Sequence, residues 1–222
     1  MADPFTVLRA GAIPLIRSNI DTDTISPGSQ QRQRASGTEF SERGSSTLAD
    51  DLFANWRYEP DGGRVADFPF NQARFQGAKI LLTGENFGCG SSRESAVWML
   101  AAWGIRCIIA PSFADIFASN CYANGLLPIT LSAQEIAALA SEAESKGAVA
   151  EFVVDLPSCR LTSPSGHVVG FRISEFRRKG LLLGLDEIAV TLSSVSEIDA
   201  FIDVARAARP WCYPPALRAG ES

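Results

Sequence analysis

The sequence predicts an α/β domain with a parallel βαβ core and an added β-hairpin. Three observations carry that expectation. Short apolar runs recur at Ala78–Thr83, Ile105–Ala110 and Leu126–Leu131, each the length of a strand buried on both faces. Segments of helical length separate them, as parallel strands require. Boundary residues then mark where each helix starts and stops.

Taken in order, Phe5 to Arg17 is a short extended opening. It leads into Asn19-Ile20-Asp21-Thr22-Asp23-Thr24-Ile25-Ser26-Pro27-Gly28, where Asx and hydroxyl side chains favour turns by bonding nearby N–H groups. Residues 29–47 are polar and rich in Gly and Ser, and a mobile loop is expected over about 28–50. The strand at 78–83 feeds a helix over about 92–103, and the strand at 105–110 follows. Pro111 and Ser112 open a helix over 113–123 that stops at Asn124-Gly125. After the strand at 126–131, Ser132-x-x-Glu135 is a capping box for a helix from Ala133 to Lys146, closed by Gly147. Glu151–Leu156 and Cys159–Ile173 read as a hairpin around Ser163-Pro164-Ser165-Gly166. A short helix near Ser174–Lys179, an apolar stretch over 181–192 and a final helix over 197–208, capped by Ser194-x-x-Glu197, complete a single domain spanning 1–209. Pro210, Pro214 and Pro215 mark an irregular tail over 210–222.

The composition narrows the function. The 222 residues are 46% hydrophobic and 20% charged, as in ordinary globular proteins. A net charge of −5 and a pI near 5.0 disfavour nucleic acid as a partner. No run approaches the ~20 apolar residues of a membrane span. The first dozen residues carry Asp3 and lack a basic segment followed by an apolar run, so no secretory signal is expected. Five widely spaced cysteines without C-x-x-C, and a single histidine, His167, argue against a disulfide framework or a metal site built from this chain alone. A reducing, cytoplasmic setting is expected.

The most informative segment is Glu85-Asn86-Phe87-Gly88-Cys89-Gly90-Ser91-Ser92-Arg93-Glu94, between a predicted strand and a predicted helix. A glycine-rich turn that brings two hydroxyls and a guanidinium to a helix start suits an anion, because first-turn N–H groups lack partners and the helix dipole is positive there. Arg93 offers a fork that fits a carboxylate. Ser91-x-x-Glu94 is also a capping box, and the two readings are compatible. A serine nucleophile needs a base, and His167, placed at a hairpin turn, is a poor candidate. Cys89 as a nucleophile would meet the same obstacle. The dinucleotide fingerprint fails as well, since Arg93 stands where a third glycine belongs. Asp21 and Asp23 are either turn formers or, in the case of Asp23, a residue that orients an arginine or a histidine of a partner. Arg32 and Arg34 are either solvated or positioned to close over a carboxylate.

These residues also carry a resemblance. Asp21-Thr22-Asp23, the ten-residue segment 85–94, Ala110-Pro111-Ser112-Phe113-Ala114-Asp115-Ile116-Phe117, Phe176-Arg177-Arg178 and Gly184-Leu185-Asp186 together resemble, in order from about residue 5 to 205, the aconitase family and within it the small subunits of 3-isopropylmalate dehydratase. The resemblance implies an aconitase-type swivelling β/β/α domain. It implies a hydro-lyase of leucine biosynthesis that interconverts 3-isopropylmalate and 2-isopropylmalate. Such an enzyme is active only as a heterodimer with a large subunit, which carries a [4Fe–4S] cluster, so this chain would bind no cofactor itself.

By the same resemblance Ser91 and Asp23 are catalytic, with Ser91 the base. Ser92 and Arg93 contact the diacid substrate, and Arg32 or Arg34 serves in a loop that selects its substituent. Ser95 stands where many relatives have histidine, and the 28–50 loop is longer than usual. The alternatives are a paralogous dehydratase acting on homoaconitate, citramalate or a methylated malate, and a non-catalytic anion-binding module.

Overall fold

The computed structural model describes residues 3–27, 46–146 and 150–213. Its first compact unit covers residues 1–186 and its second 187–222, whereas the prolines mark a sequence boundary at 209.

The first unit is built on two four-stranded sheets. Strands β2 (Ala12–Leu15), β3 (Ile80–Thr83), β4 (Cys107–Ala110) and β5 (Leu127–Thr130) pair in that order, all parallel. The three apolar runs of the sequence are thus β3, β4 and β5. The extended opening divides at Gly11. β1 (Val7–Ala10) joins the second, antiparallel sheet, and β2 becomes the edge of the parallel one.

The antiparallel sheet has the order β1–β6–β7–β8, with β6 Phe152–Asp155, β7 Arg160–Thr162 and β8 Val168–Gly170. The expected hairpin is therefore a three-stranded meander with β1 added as a fourth strand. The extra turn was not apparent because Cys159, neither Gly nor Asn, takes the left-handed position (φ 53°) beside Pro157.

The parallel strands are buried on both faces, and alternate residues serve different cores. Ile13, Leu81 and Ile108 face one core with Val97, Met99 and Leu100 of α4 (Glu94–Trp103) and Phe117 and Cys121 of α5 (Asp115–Ala123). Ile80, Leu82, Cys107, Ile109 and Leu127 face the other. There they meet Ile136, Leu139 and Ala143 of α6 (Ala133–Lys146) and Phe152, Val154 and Leu161 of the antiparallel sheet. The layers are helices, parallel sheet, then α6 with the antiparallel sheet, the β/β/α arrangement expected.

Capping signals divide into those that form and those that do not. Ser132 and Glu135 exchange bonds: the Glu135 N–H donates to Ser132 Oγ at 3.2 Å and the Ser132 N–H donates to Glu135 Oε2 at 2.9 Å. Those Ser132 bonds hold the Glu135 carboxyl below its ordinary value. Ser174 caps α7 (Glu175–Leu183) by accepting from the Arg177 N–H. In the second unit, α8 (Glu187–Leu192) is followed by α9 (Val195–Ala208). Ser194 makes no side-chain cap there, since its backbone (φ −112°, ψ 22°) is not in the extended region an N-cap hydroxyl needs. The first residues of the predicted tail form a 3-10 turn, Pro210–Cys212.

The last residues of the predicted 28–50 loop are helical, in α2 (Ser46–Asp51), followed by α3 (Ala54–Arg57). Arg57 anchors this segment. Only 1% exposed, it donates to the carbonyls of Ala49 (2.9 Å), Asp50 (3.2 Å) and Leu52 (3.2 Å), and its Nε donates to Asn71 Oδ1 (3.2 Å). The guanidinium lies 4.5 Å over the Trp103 ring. Burial pulls its pKa below the ordinary arginine value, yet arginine remains charged. Arg57→Met keeps most of the volume but removes the guanidinium's bonds to three carbonyls, of which Ala49 keeps one from the Leu52 N–H. Stability is expected to fall by about 3 kcal/mol, a Tm drop on the order of 9 °C, and an unchanged Tm in thermal denaturation would count against this anchor.

Candidate functional site

Three successive parallel strands end at one place. The loops after β2, β3 and β4 are stitched together at the carboxyl edge of the sheet, where ligands of open α/β sheets bind. The Gly88 N–H donates to the Ile20 carbonyl (2.8 Å), Thr22 N–H to Cys89 O (2.9 Å), and Phe87 N–H to Ser112 O (3.1 Å). Short parallel bridges, Asp21 with Cys89 and Phe87 with Phe113, continue the strand order into the loops. Asn19 and Asn86, both left-handed at φ 57°, are joined by a 2.7 Å bond from Asn86 Nδ2 to Asn19 Oδ1.

Gly88 makes this closeness feasible. Its φ is +76°, and a Cβ there would lie 2.1 Å from Cγ of the Phe117 ring. The α5 helix therefore packs directly on the loop backbone.

The helix start differs from the capping-box expectation in a way that matters chemically. α4 begins at Glu94, and its N-cap is Arg93, extended at φ −109°, ψ 107°, with no side-chain cap. Ser91 lies two residues ahead of the cap, too far for its hydroxyl to serve the first turn. Instead Glu94 accepts from Asn124 Nδ2 of the α5 terminus at 2.9 Å. The hydroxyls of Ser91 and Ser92 are exposed and make no hydrogen bond among the described residues. The Ser91 backbone is held nonetheless: buried Thr22 donates from Oγ1 to the Ser91 carbonyl at 2.8 Å.

The two aspartates separate into distinct roles. Asp21 is the N-cap of α1 (Thr22–Ile25), accepting from the Thr24 N–H at 2.6 Å. Asp23 pairs with Arg93 Nη1 at 2.5 Å. Both partners are substantially exposed, so the pair adds little stability; its consequence is to hold the guanidinium in one direction.

Ser91, Ser92 and Arg93 line a cleft of about 250 Å³ with Thr22, Ile116 and Asn120. The expected site thus gathers Ser91, Ser92, Arg93 and Asp23. Arg32 and Arg34 lie outside the described residues. The Ser95 hydroxyl lies 3.1 Å from the Ser26 hydroxyl. His167 sits exposed in the β7–β8 turn, where its carbonyl accepts from Ser163 N–H, and it is not among the cleft residues.

Sequence reading overlooked Thr22 and Asn120. Thr22 sits inside the quoted Asp-Thr-Asp run, and its alternation with two acids marks it as the residue that turns inward. Asn120 is a polar residue in mid-helix, three positions after the core residue Phe117.

Two of the cysteines are closed to any ligand. Cys107 and Cys121 are fully buried, and desolvation pushes both thiols up. No three potential ligands converge among the described residues. None of the described helices is long and apolar enough to cross a membrane.

The aconitase C-terminal domain model matches residues 4–134. A 3-isopropylmalate dehydratase small subunit of Cupriavidus necator is 46% identical over 213 residues, covering 95% of this chain and 98% of that protein. This chain belongs to the aconitase C-terminal domain family, among the 3-isopropylmalate dehydratase small subunits. A small subunit from Neisseria meningitidis serogroup C is 45% identical over 219 residues, with coverage of 94% and 98%. A crystal structure of 3-isopropylmalate dehydratase from Methanocaldococcus jannaschii shares the fold, with a TM-score of 0.59 and 26% identity over 87% of this chain and 98% of that one. The whole β/β/α architecture is therefore the aconitase-type small-subunit fold.

Proposed function

We propose that the chain is the small subunit of a cytoplasmic, two-chain 3-isopropylmalate dehydratase, a hydro-lyase of leucine biosynthesis that interconverts 3-isopropylmalate and 2-isopropylmalate. The observation that carries this reading is the meeting of two uncommitted hydroxyls with an oriented arginine in one cleft, in a chain whose relatives bear that name.

Ser91 takes the proton from the carbon beside a carboxylate. The C–H electron pair becomes the new C=C bond as hydroxide leaves the adjacent carbon, and rehydration at the other position reverses the sequence. Negative charge builds on the carboxylate during proton removal, and fixed donors stabilise it better than water does. Arg93 supplies those donors from the N–H groups Asp23 leaves free, and Ser92 adds a hydroxyl. The same cation and the α4 N-terminus favour the alkoxide form of Ser91. In this proposal the large subunit brings the iron–sulfur cluster, and Cys107 and Cys121 of this chain are too buried to share in holding it. Closure of the two subunits excludes water and fixes the reacting groups.

The decisive test mixes the purified chain with its large subunit and follows conversion of 3-isopropylmalate. Turnover is expected only from the mixture; a chain active alone, or a mixture active only on homoaconitate, citramalate or methylated malate, would overturn the assignment. Within the active mixture, Arg93→Lys is expected to raise KM about tenfold and lower kcat, since a point charge cannot reproduce a two-pronged contact. An unchanged KM would remove Arg93 from the substrate site.

A further inference from the structure

Besides Asp115, an exposed acid in the first turn of α5, the cleft holds one polar side chain that the proposed chemistry does not employ. Asn120 lines it opposite the 88–93 loop, half-buried, and its carboxamide makes no hydrogen bond among the described residues. Asparagine is a weak helix former in mid-helix, so propensity does not account for it. Partly buried amides ordinarily find a partner, and here the open direction is the cleft.

Its position is well defined. One turn earlier, Phe117 is clamped against Gly88, the contact that leaves no room for a Cβ. One turn later, Asn124 bonds both the Asn120 carbonyl (2.9 Å) and Glu94 of α4 (2.9 Å). The carboxamide is thus carried on a helix tied at both ends to the elements that bear Ser91 and Arg93. Such placement on a rigid element is what precise ligand contacts need.

Resting on the dehydratase reading above, we propose that Asn120 is a further substrate contact, whose N–H donates to a carboxylate oxygen of the bound diacid. A diacid presents two carboxylates, and Arg93 with Ser92 suffices for one. An amide serves the other without adding a charge, so it binds a dianion while leaving the field around Ser91 unchanged.

The test compares Asn120→Ala, Asn120→Asp and Asn120→Gln with Ser91→Ala in the reconstituted two-subunit enzyme. Losing one bond to a charged group is expected to raise KM for 3-isopropylmalate roughly tenfold or more in Asn120→Ala. Asn120→Asp, nearly the same shape, is expected to be worse still, because it sets a carboxylate against a carboxylate, and the excess should shrink as salt rises. Asn120→Gln keeps the donor and is expected to recover part of the loss. Thermal denaturation and large-subunit pull-down should be unaffected in all three. Equal KM values for the Ala and Asp variants and the unaltered chain would overturn this contact, as would a KM rise matched by a falling Tm. If Ser91→Ala is inactive in that same experiment, the dehydratase reading stands while the Asn120 contact falls. If Ser91→Ala is fully active, the site reading itself fails.

Discussion

Replacing Ser91 by alanine is expected to remove nearly all turnover from the reconstituted enzyme, by about a thousandfold or more, with folding and subunit pairing intact. The reason is that function and architecture attach to different atoms of this residue. Its carbonyl is the atom that Thr22 grips at 2.8 Å, and alanine has the same carbonyl. Its hydroxyl makes no bond among the described residues and is exposed to the cleft, so its removal leaves no buried group stranded. Had Ser91 been the N-cap, as Ser91-x-x-Glu94 suggests, the same change would cost about 1 kcal/mol of stability. The measurement is therefore kcat/KM beside Tm. A lowered Tm with turnover preserved would show that the hydroxyl is structural after all.

Much of the architecture was legible because its signals are local. Uninterrupted apolar runs at 78–83, 105–110 and 126–131 leave little choice but strands buried on two faces, and Ser132 with Glu135 forms its capping box as written. The failures come where a backbone angle, and not a side-chain pattern, decides. Ser91 and Ser194 carry good capping sequences, but the N-cap of α4 is Arg93, two residues after Ser91, and Ser194 has a backbone unsuited to its role. Cys159 makes a left-handed turn that its type does not advertise. Gly11 separates two strands that belong to different sheets, a division no periodicity within Phe5 to Arg17 reveals.

The site shows the same boundary. The glycine-rich run and the Asp-Thr-Asp run stand out as short motifs, and the fold brings them together through bonds between Thr22 and the 89–91 backbone. What sequence could not supply was the third wall. Asn120 and Ile116 reach the cleft only because α5 returns after β4 to pack on Gly88, and that encounter is a product of sheet order. Arg57 likewise looks like one arginine among 17 until its carbonyl partners are assembled around it.

Gly88→Ala is expected to damage both stability and the site. Two costs combine. Alanine at φ +76° is disfavoured by about 1 kcal/mol, and its Cβ would lie 2.1 Å from Phe117 Cγ and 2.5 Å from Cδ2, an overlap costing on the order of 2–3 kcal/mol after relaxation. Relief requires α5 to lift, which takes Asn120 and Ile116 out of the cleft, or the loop to withdraw, which breaks the 2.8 Å bond from Gly88 to Ile20. A Tm drop on the order of 10 °C is expected, along with loss of turnover in the fraction that stays folded. The mechanism can be isolated with Phe117→Ala, which removes Cγ and Cδ2, the two nearest atoms. If the overlap is with that ring, Gly88→Ala is expected to destabilise the Phe117→Ala background by about 1 kcal/mol or more less than it does the unaltered chain, since contacting sites couple. Simple additivity of the two changes would show that the ring atoms are not the source of the penalty.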